Sequence, residues 1–297
     1  MTTYLPTLRQ LQYLVALNDH GHFGRAAESC YITQSTLSAS LRELETLLGS
    51  TLVERSRRVI RFTPLGTRIV DKARLVLRSA EELADLARAE REPLTGELRM
   101  AVIPTIAPFL LPPLLPRLRE AHPSLKLFLR EEPSAAACDS LHRGVVDCVL
   151  LAMPFECGDI AHEVLFEDRL LVAAPEGEVS EGEVRPDDIN ASRMLLLEDG
   201  HCLKDHALAA CNRPEMRSSA MILGTSLHTL VQMVDNHLGV TMVPQMAVEA
   251  GLLDNTRVEL HELRSDQAKR DVALAWRTGS PREAEFRLLA EELRRLR

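Results

Sequence analysis

The sequence predicts an N-terminal all-α domain of the winged helix-turn-helix type with a long linker helix, followed by a two-lobed α/β domain. Three observations support this prediction. Residues 8–48 carry apolar side chains at the three-to-four-residue spacing of amphipathic helices. Basic charge is concentrated at the same end of the chain. From residue 96 onward, short apolar segments typical of buried strands alternate with helical segments, and 297 residues suffice for two domains and a smaller module.

The net charge of −8 conceals an uneven distribution. Residues 1–79 contain 11 lysines and arginines against 6 aspartates and glutamates, a balance of +5, and the rest of the chain is acidic. This asymmetry favours a basic module that binds a polyanion such as DNA, joined to an acidic one. The alternative for the basic segment is an ordinary solvated charged surface.

The composition also limits the environment of the protein. No run of about 18 apolar residues occurs, and the first residues have neither a basic nor an apolar signal region, so we expect no membrane insertion and a cytoplasmic location. In a reducing compartment, six cysteines are expected to be buried thiols, metal ligands or redox-active thiols rather than a disulfide scaffold. We expect Cys30 in a helical core and Cys138, Cys148 and Cys157 as structural thiols.

Three helices are predicted in the first fifty residues. The first follows Thr7 and ends at Gly21, the second is Phe23–Cys30, and Thr33 is the expected N-cap of the third. One face of the third helix is leucine-rich, and its other face presents polar side chains that can reach base edges and phosphates in a major groove. We therefore predict DNA contacts from Thr33, Gln34, Ser35, Thr36, Ser38 and Arg42.

Residues 52–63 alternate loosely between apolar and polar side chains and contain a basic turn. This pattern predicts a β-hairpin wing, which completes a winged helix-turn-helix domain over residues 1–63. We expect its arginines to contact phosphates or a minor groove: Arg55, Arg57 and Arg58.

A long helix is predicted over residues 64–92, before Pro93 and Gly96 break the pattern. Small and apolar residues repeat along it with alternating spacings of three and four, a heptad seam suited to a close dimer contact. The alternative is a lone helix packed on its own domain. The seam consists of Val70, Ala73, Leu77, Ala80, Ala84 and Ala87.

The remaining two hundred residues predict two small α/β lobes with parallel sheets, because strand and helix signals alternate. Helices are expected at Pro108–Ala121, Ser134–Arg143, Leu227–Asn236 and Pro281–Leu296. Strands are expected at Leu98–Ile103, Leu125–Leu129, Cys148–Ala152, Leu170–Ala174, Met194–Leu197, Met221–Leu223, Val240–Val243 and Val272–Trp276.

The segment Leu195–Cys211 contains the clearest candidates for chemically reactive residues in the chain. Cys202 stands at a predicted strand-to-helix junction next to His201 and near Lys204, and a helix N-terminus and positive charges favour the thiolate that peroxide oxidises. If Cys211 lies on the same helix, the two are about 13.5 Å apart along its axis, so a bond between them requires local unwinding. Two alternatives stay open here: inert buried cysteines, or a metal site from His201, Cys202, His206 and Cys211.

Several motifs of the first half resemble those of LysR-type transcriptional regulators: Phe23-Gly-Arg-Ala-Ala-Glu28, Thr33-Gln-Ser-Thr-Leu-Ser38, Leu41-Arg-Glu-Leu-Glu45 and Thr63-Pro-Leu-Gly66. Ser35 stands where that family usually has proline, at the first position of the recognition helix. The resemblance implies a regulatory domain like periplasmic binding proteins, with lobe I formed by residues 96–166 and 270–297 and lobe II by residues 167–269. It also implies a homotetramer.

The segment Glu198–Ala207 with Cys211 resembles, more narrowly, the redox segment of peroxide-sensing members of the family, as do Ile103–Pro108, Asp147–Ala152 and Thr225–Val231. This resemblance implies that Cys202 is the peroxidatic cysteine and Cys211 its resolving partner, and that Thr105 positions peroxide. Where these relatives often carry a histidine and a threonine, this chain has Arg130 and Ser134, of which Ser134 still supplies a hydroxyl. His201 and Asp205 flank the thiol and are candidates to orient peroxide or move a proton.

The resemblance thus implies a regulator that senses hydrogen peroxide through a reversible Cys202–Cys211 disulfide and controls oxidative-stress defence genes. The expected partners are double-stranded promoter DNA, hydrogen peroxide, further copies of the chain, RNA polymerase and a cellular dithiol reductant. We expect no cofactor, no metal and no enzymatic turnover. Two alternatives remain: a LysR-type regulator with a small-molecule effector in the cleft between the lobes, and a thiol peroxidase.

Overall fold

The computed structural model describes residues 5–55, 60–89, 94–179, 184–213 and 223–295. It divides into two compact units, one of residues 1–91 with 143–145 and one of residues 92–142 with 146–297. A helical unit with a two-stranded wing is followed by an α/β unit, which confirms the predicted fold class. Within the described part of the chain, no helix is long and apolar enough to cross a membrane.

The first unit is built around three short helices. Thr7 caps α1 in a capping box with Gln10, and Gly21 and Gly49 end α1 and α3 in the left-handed conformation that glycine adopts without steric cost. Leu14, Leu17 and other apolar side chains of these helices form one buried core. The elements are α1 Leu8–His20, α2 Phe23–Ser29, α3 Gln34–Leu48, β1 Val53–Arg55, β2 Ile60–Phe62 and α4 Pro64–Ala89.

The start of α4 is fixed against the end of the helical core by a close backbone approach. Thr63 donates its backbone N–H to the Leu52 carbonyl, and its hydroxyl accepts the Gly66 N–H at 2.9 Å. A β-carbon built on Gly66 would lie 2.2 Å from the Leu52 carbonyl oxygen. Glycine is therefore required here because no side chain fits beside the Leu52 carbonyl, and not because of its backbone conformation, which is helical.

The second unit alternates strands and helices, as the sequence predicts. It also contains the helix α9, the strand β10 and two 3₁₀ helices, Pro186–Asp188 and Ala191–Arg193, none of which was predicted from the sequence. Its elements in chain order are β3 Gly96–Val102, α5 Ala107–Ala121, β4 Leu125–Glu131, α6 Ser134–His142, β5 Cys148–Met153, β6 Ile160–Pro175, β7 Leu196–Leu197, α7 Cys202–Ala210, β8 Leu223–Gly224, α8 Leu227–Asp235, β9 Thr241–Pro244, α9 Gln245–Glu249, β10 Val258–Glu262, β11 Lys269–Arg277 and α10 Glu283–Arg294.

The main sheet is mixed rather than parallel, so that prediction is wrong. Its strand order is β10-β6-β11-β5-β3-β4, with β9 also on β6. β3 runs parallel to β4 and β5, whereas β11 is antiparallel to both β5 and β6. Only the apolar end of β6 was predicted from the sequence, because the first half of this 16-residue strand is partly exposed and rich in charged residues. The division of this unit into two lobes stays a prediction.

Two of the cysteines expected to be unpaired structural thiols form a disulfide. Cys138 on α6 and Cys157 in the segment after β5 are bonded, with their Cα atoms 5.4 Å apart. Their separation of 19 positions gives no sequence signal, because the contact arises only when α6 packs beside the end of β5. Cys148 is buried on β5, and Cys30 packs against the helical core as expected.

Replacing Gly66 by alanine is expected to destabilise the first unit by about 1–3 kcal/mol, because the new methyl group collides with backbone rather than with a flexible side chain. Hydrogen exchange of peptides from α3 and α4 in the full-length protein measures this effect. Thr67→Ala, one position later on the exposed side of α4, is the matched control. Equal exchange in the two variants would contradict the prediction.

Candidate functional site

The predicted DNA-contacting residues lie at the start of α3. Thr33 caps the helix by accepting the Thr36 N–H at 3.2 Å. Thr33, Gln34, Ser35, Thr36 and Arg42 are exposed, whereas Ser38 is half-buried. Because α3 begins at Gln34, Ser35 occupies the second helical position and not the first. A polar, exposed helix start of this kind fits base-edge and phosphate contacts.

The wing consists of the antiparallel pair β1 and β2. Arg55 is the last residue of β1. Arg57 and Arg58, the other predicted wing contacts, lie outside the described residues. The predicted dimer seam lies on α4, where Val70 belongs to the buried core of the first unit and Ala73 is also buried. The start of the seam therefore contributes to this unit's own core through Val70.

The two candidate redox cysteines lie at opposite ends of one helix. Cys202 is the first residue of α7 and Cys211 follows its last residue, and both are free thiols buried to 1% exposure. Gly200 turns the chain into the helix with a φ of +94°, and its carbonyl accepts the Ala135 N–H. The nine-residue separation therefore corresponds to about 13.5 Å of helix rise, far beyond disulfide reach.

The structure brings Ser134 directly to Cys202. The Cys202 backbone N–H donates to Ser134 Oγ at 3.3 Å. Burial raises the pKa of the Cys202 thiol, whereas hydrogen bonding by Ser134 and by the Ala152 backbone lowers it. The start of α6 and the end of β5 thus favour negative charge on this sulfur.

Thr105 is held by Arg270, a residue that the sequence analysis missed. The Arg270 guanidinium donates to Thr105 Oγ1 at 2.9 Å and to the Thr105 carbonyl at 3.1 Å. It also forms a fully buried ion pair with Asp168 at 3.0 Å, and Asp168 accepts the Met246 N–H at 2.9 Å. The sequence did contain a signal for this role. Arg270 lies beside the apolar run Val272–Trp276, and a charged side chain in a buried strand requires a partner.

The charge environment of Cys202 differs from the expectation. Burial raises the pKa of the Cys202 thiol, and the Arg270 charge and the Ser134 hydrogen bond oppose this only in part. Lys204, expected to favour the thiolate, is instead paired with Asp199 at 2.6 Å. Burial lowers the pKa of His201, which disfavours its charged form. Cys202 is therefore a protonated thiol at rest. The positive charge that favours its thiolate comes from Arg270 and not from Lys204 or His201.

The other predicted neighbours are spread around α7. His201 is buried at the N-cap but makes no capping hydrogen bond with its ring, and Asp205 is half-buried with a charge that raises the pKa of Cys202. His206 bonds the Pro154 carbonyl through Nε2 at 2.8 Å. Arg130 is exposed and pairs with Glu132 at 2.9 Å, so the structure does not place it with Cys202.

The metal alternative gains no support from the geometry. Across the part of the chain that the structure describes, no group of three or more His, Cys, Asp and Glu side chains is arranged to hold a metal ion. Cys202 and His206 lie on neighbouring turns of α7, but the Nε2 of His206 is committed to Pro154. The arrangement is better suited to thiol chemistry.

Comparisons with known proteins cover the whole chain. The family profile "Bacterial regulatory helix-turn-helix protein, lysR family" matches residues 8–67, and "LysR substrate binding domain" matches residues 91–297. The chain is similar to the "HTH-type transcriptional regulator EstR" of Acinetobacter baylyi, with 41% identity over 98% of this chain and 97% of that one. It is similar to a "Hydrogen peroxide-inducible genes activator" of Dickeya chrysanthemi, with 36% identity over 97% and 94% of the two chains. A solved full-length OxyR variant from Pseudomonas aeruginosa matches with a TM-score of 0.81 and 32% identity, over 98% of this chain and 95% of that one.

Arg270→Gln is expected to destabilise the second unit by about 3–5 kcal/mol, because it leaves the buried Asp168 carboxylate without its counter-charge. Adding Asp168→Asn should recover part of this loss, which a double-mutant cycle measures by urea unfolding followed through Trp276 fluorescence. Lys269→Gln is the matched control, because its pair with Glu167 is exposed and screened by water and should contribute little to stability. Strict additivity of the two site substitutions would contradict the prediction.

Stability is expected to fall at alkaline pH because of Cys211. Burial raises the pKa of Cys211 from 9.0 to about 11, so above pH 9 the unfolded chain releases a proton that the folded chain retains. The associated stability is complete below pH 9 and is lost as pH rises towards 11, by up to about 2 kcal/mol. Urea unfolding at pH 8 and pH 10.5 should show a smaller decrease for Cys211→Ala than for the wild type. Equal decreases would refute this assignment.

Proposed function

The chain belongs to the LysR family of bacterial transcriptional regulators, and we propose that within this family it senses hydrogen peroxide by oxidation of Cys202. One observation carries the proposal. A buried thiol begins α7 with its backbone N–H bonded to the Ser134 hydroxyl, a buried guanidinium whose charge favours its thiolate, and a second free thiol at the other end of the same helix. The likeness to a peroxide-inducible activator and to OxyR structures supports it.

The first chemical step joins the Cys202 sulfur to one peroxide oxygen. The thiol proton leaves, the sulfur electron pair attacks, the O–O bond breaks, and the second oxygen departs as water. Because the Arg270 guanidinium donates to Thr105 Oγ1, the Thr105 hydroxyl hydrogen is directed away from it and can donate to peroxide. His201 and Asp205 are the proposed groups for proton movement near the sulfur.

The second step condenses the Cys202 sulfenic acid with the Cys211 thiol. A sulfur–sulfur bond forms and a second water leaves, so that two thiols are oxidised by two electrons and one peroxide is reduced to two waters. The bond requires α7 to unwind, because the intact helix holds the two residues about 13.5 Å apart. Oxidation therefore changes the fold of this segment, as a switch must.

The first unit supplies the proposed DNA function through the exposed start of α3 and the wing. We propose that the long helix α4 brings two copies together, that homotetramers form, and that the oxidised form acts with RNA polymerase on oxidative-stress promoters. A cellular dithiol would return the disulfide to thiols by exchange. We propose no enzymatic turnover, because each cycle would require unwinding and refolding of α7.

A second candidate keeps DNA regulation but replaces peroxide by a small-molecule effector. A surface cavity of about 370 Å³ beside β6 and β10 favours it, and the relative EstR is described only as an HTH-type transcriptional regulator, with no mention of peroxide. Two ion pairs, Glu167–Lys269 and Arg169–Glu262, line this cavity. A polar ligand is the class that such a lining would accept.

Stoichiometric hydrogen peroxide is expected to convert the reduced full-length protein into a form with a Cys202–Cys211 disulfide, read by differential alkylation and peptide mass mapping. Cys202→Ser should abolish the bond, whereas Cys30→Ser, remote in sequence and in the helical unit, should leave it intact. The change should reverse with dithiothreitol and alter the footprint on promoter DNA. If both thiols remain alkylatable after peroxide, the redox proposal fails and the effector candidate takes its place.

A further inference from the structure

A second cysteine pair lies close to the candidate redox site but outside it. Cys138 and Cys157 have Cα atoms 5.4 Å apart, within the range of disulfide geometry. They are 6% and 5% exposed, whereas Cys202 and Cys211 are each 1% exposed. This pair is therefore nearer to solvent than the two thiols of the proposed sensor.

The pair joins the two segments that contact α7 on either side of Cys202. Cys138 lies one helical turn after Ser134, whose hydroxyl accepts the Cys202 backbone N–H at 3.3 Å and lowers the pKa of the Cys202 thiol against the effect of burial. Cys157 lies three residues after Pro154, whose carbonyl binds His206 on α7. A bond between the two segments therefore fixes the groups that position this helix.

A neighbouring contact reinforces the same junction. His142, the last residue of α6, hydrogen-bonds the Cys157 carbonyl, and a β-carbon on Gly158 would lie 2.9 Å from the same imidazole nitrogen. The close packing means that movement of the segment after β5 is transmitted to α6. The disulfide is the covalent part of this junction.

We propose that Cys138 and Cys157 form a second, reversible dithiol–disulfide pair that sets the reactivity of Cys202 through α6 and the segment after β5. Its own redox chemistry is independent of the proposed function, whereas its effect on peroxide sensing rests on that function. With the bond closed, Ser134 is held against the Cys202 sulfur. With the bond open, α6 can shift and the sulfur loses a donor.

The chemistry of the pair is a two-electron exchange in each direction. A thiolate of a dithiol reductant attacks one sulfur of the Cys138–Cys157 bond, which breaks and leaves a mixed disulfide between protein and reductant. The second thiol of the reductant then attacks the reductant's own sulfur in that mixed disulfide. This step releases the protein sulfur, so that two protein thiols and an oxidised reductant remain. Hydrogen peroxide reverses this. One thiol becomes a sulfenic acid with loss of water, and condensation with the other thiol releases a second water.

The redox chemistry is tested in the full-length Cys202→Ser/Cys211→Ser variant, so that only the second pair can form the bond. Dithiothreitol should open the bond in the folded protein, and hydrogen peroxide should close it again, as read by alkylation and mass mapping of the Cys138 and Cys157 peptides. A bond that opens only in denaturant, or two thiols that stay open after peroxide, would overturn the proposal.

The coupling is tested by the pH dependence of Cys202 alkylation with iodoacetamide, which needs no peroxide. Opening the Cys138–Cys157 bond with dithiothreitol, which is then removed, should move the midpoint upward by about one pH unit, a tenfold smaller thiolate fraction at a given pH. Cys138→Ala/Cys157→Ala should show the same shift, and Cys30→Ala should show none.

The outcomes separate the two proposals. If peroxide fails to join Cys202 to Cys211 but the alkylation midpoint still shifts, the peroxide sensor fails and the coupling stands. An unchanged midpoint in the opened wild type would show a bond with no influence on Cys202, whatever the sensor does. If the double alanine variant does not fold, as judged by Trp276 fluorescence, the opened wild type alone decides the question.

Discussion

The second unit depends on one buried ion pair. Arg270 on β11 and Asp168 on β6 face each other directly in the antiparallel register, and both are buried. Two charges removed from water are tolerated only when their remaining donors and acceptors are satisfied, and here the backbone and hydroxyl of Thr105 and the N–H of Met246 do so. The pair therefore holds four parts of the unit together: the segment after β3 that carries Thr105, the start of α9, and the neighbouring strands β6 and β11.

The same guanidinium gives the Cys202 site its electrostatic character. A buried thiol is protected from most oxidants because its thiolate is disfavoured, and Arg270, Ser134 and the Ala152 N–H offset part of that penalty. The result is a sulfur that is protonated at rest but surrounded by groups arranged to stabilise charge as it develops. Selectivity for a small oxidant is compatible with this balance, because Cys202 is almost fully buried.

The sequence predicted local features well and long-range pairings poorly. The cap at Thr33, the end of the first helix at Gly21 and the helix that begins at Cys202 follow from local spacing and chemistry, which neighbouring residues determine. The Arg270–Asp168 pair and the Cys138–Cys157 bond depend on distant segments that meet only in the folded sheet, and Lys204 was misjudged because its partner Asp199 competes with the thiol. Resemblance to the family supplied Thr105 and Ser134, which spacing alone does not indicate.

The length of α7 has a further meaning. Because the helix separates Cys202 from Cys211, an intact α7 and a bond between the two sulfurs exclude each other. In the proposed sensor, the free energy needed to unwind these nine residues would therefore oppose formation of the disulfide. Ala207, Ala209 and Ala210 are among the strongest helix formers, so they would add to that opposing free energy. Substitutions in α7 would then change the oxidation threshold of the proposed sensor without altering either sulfur or the exposed start of α3.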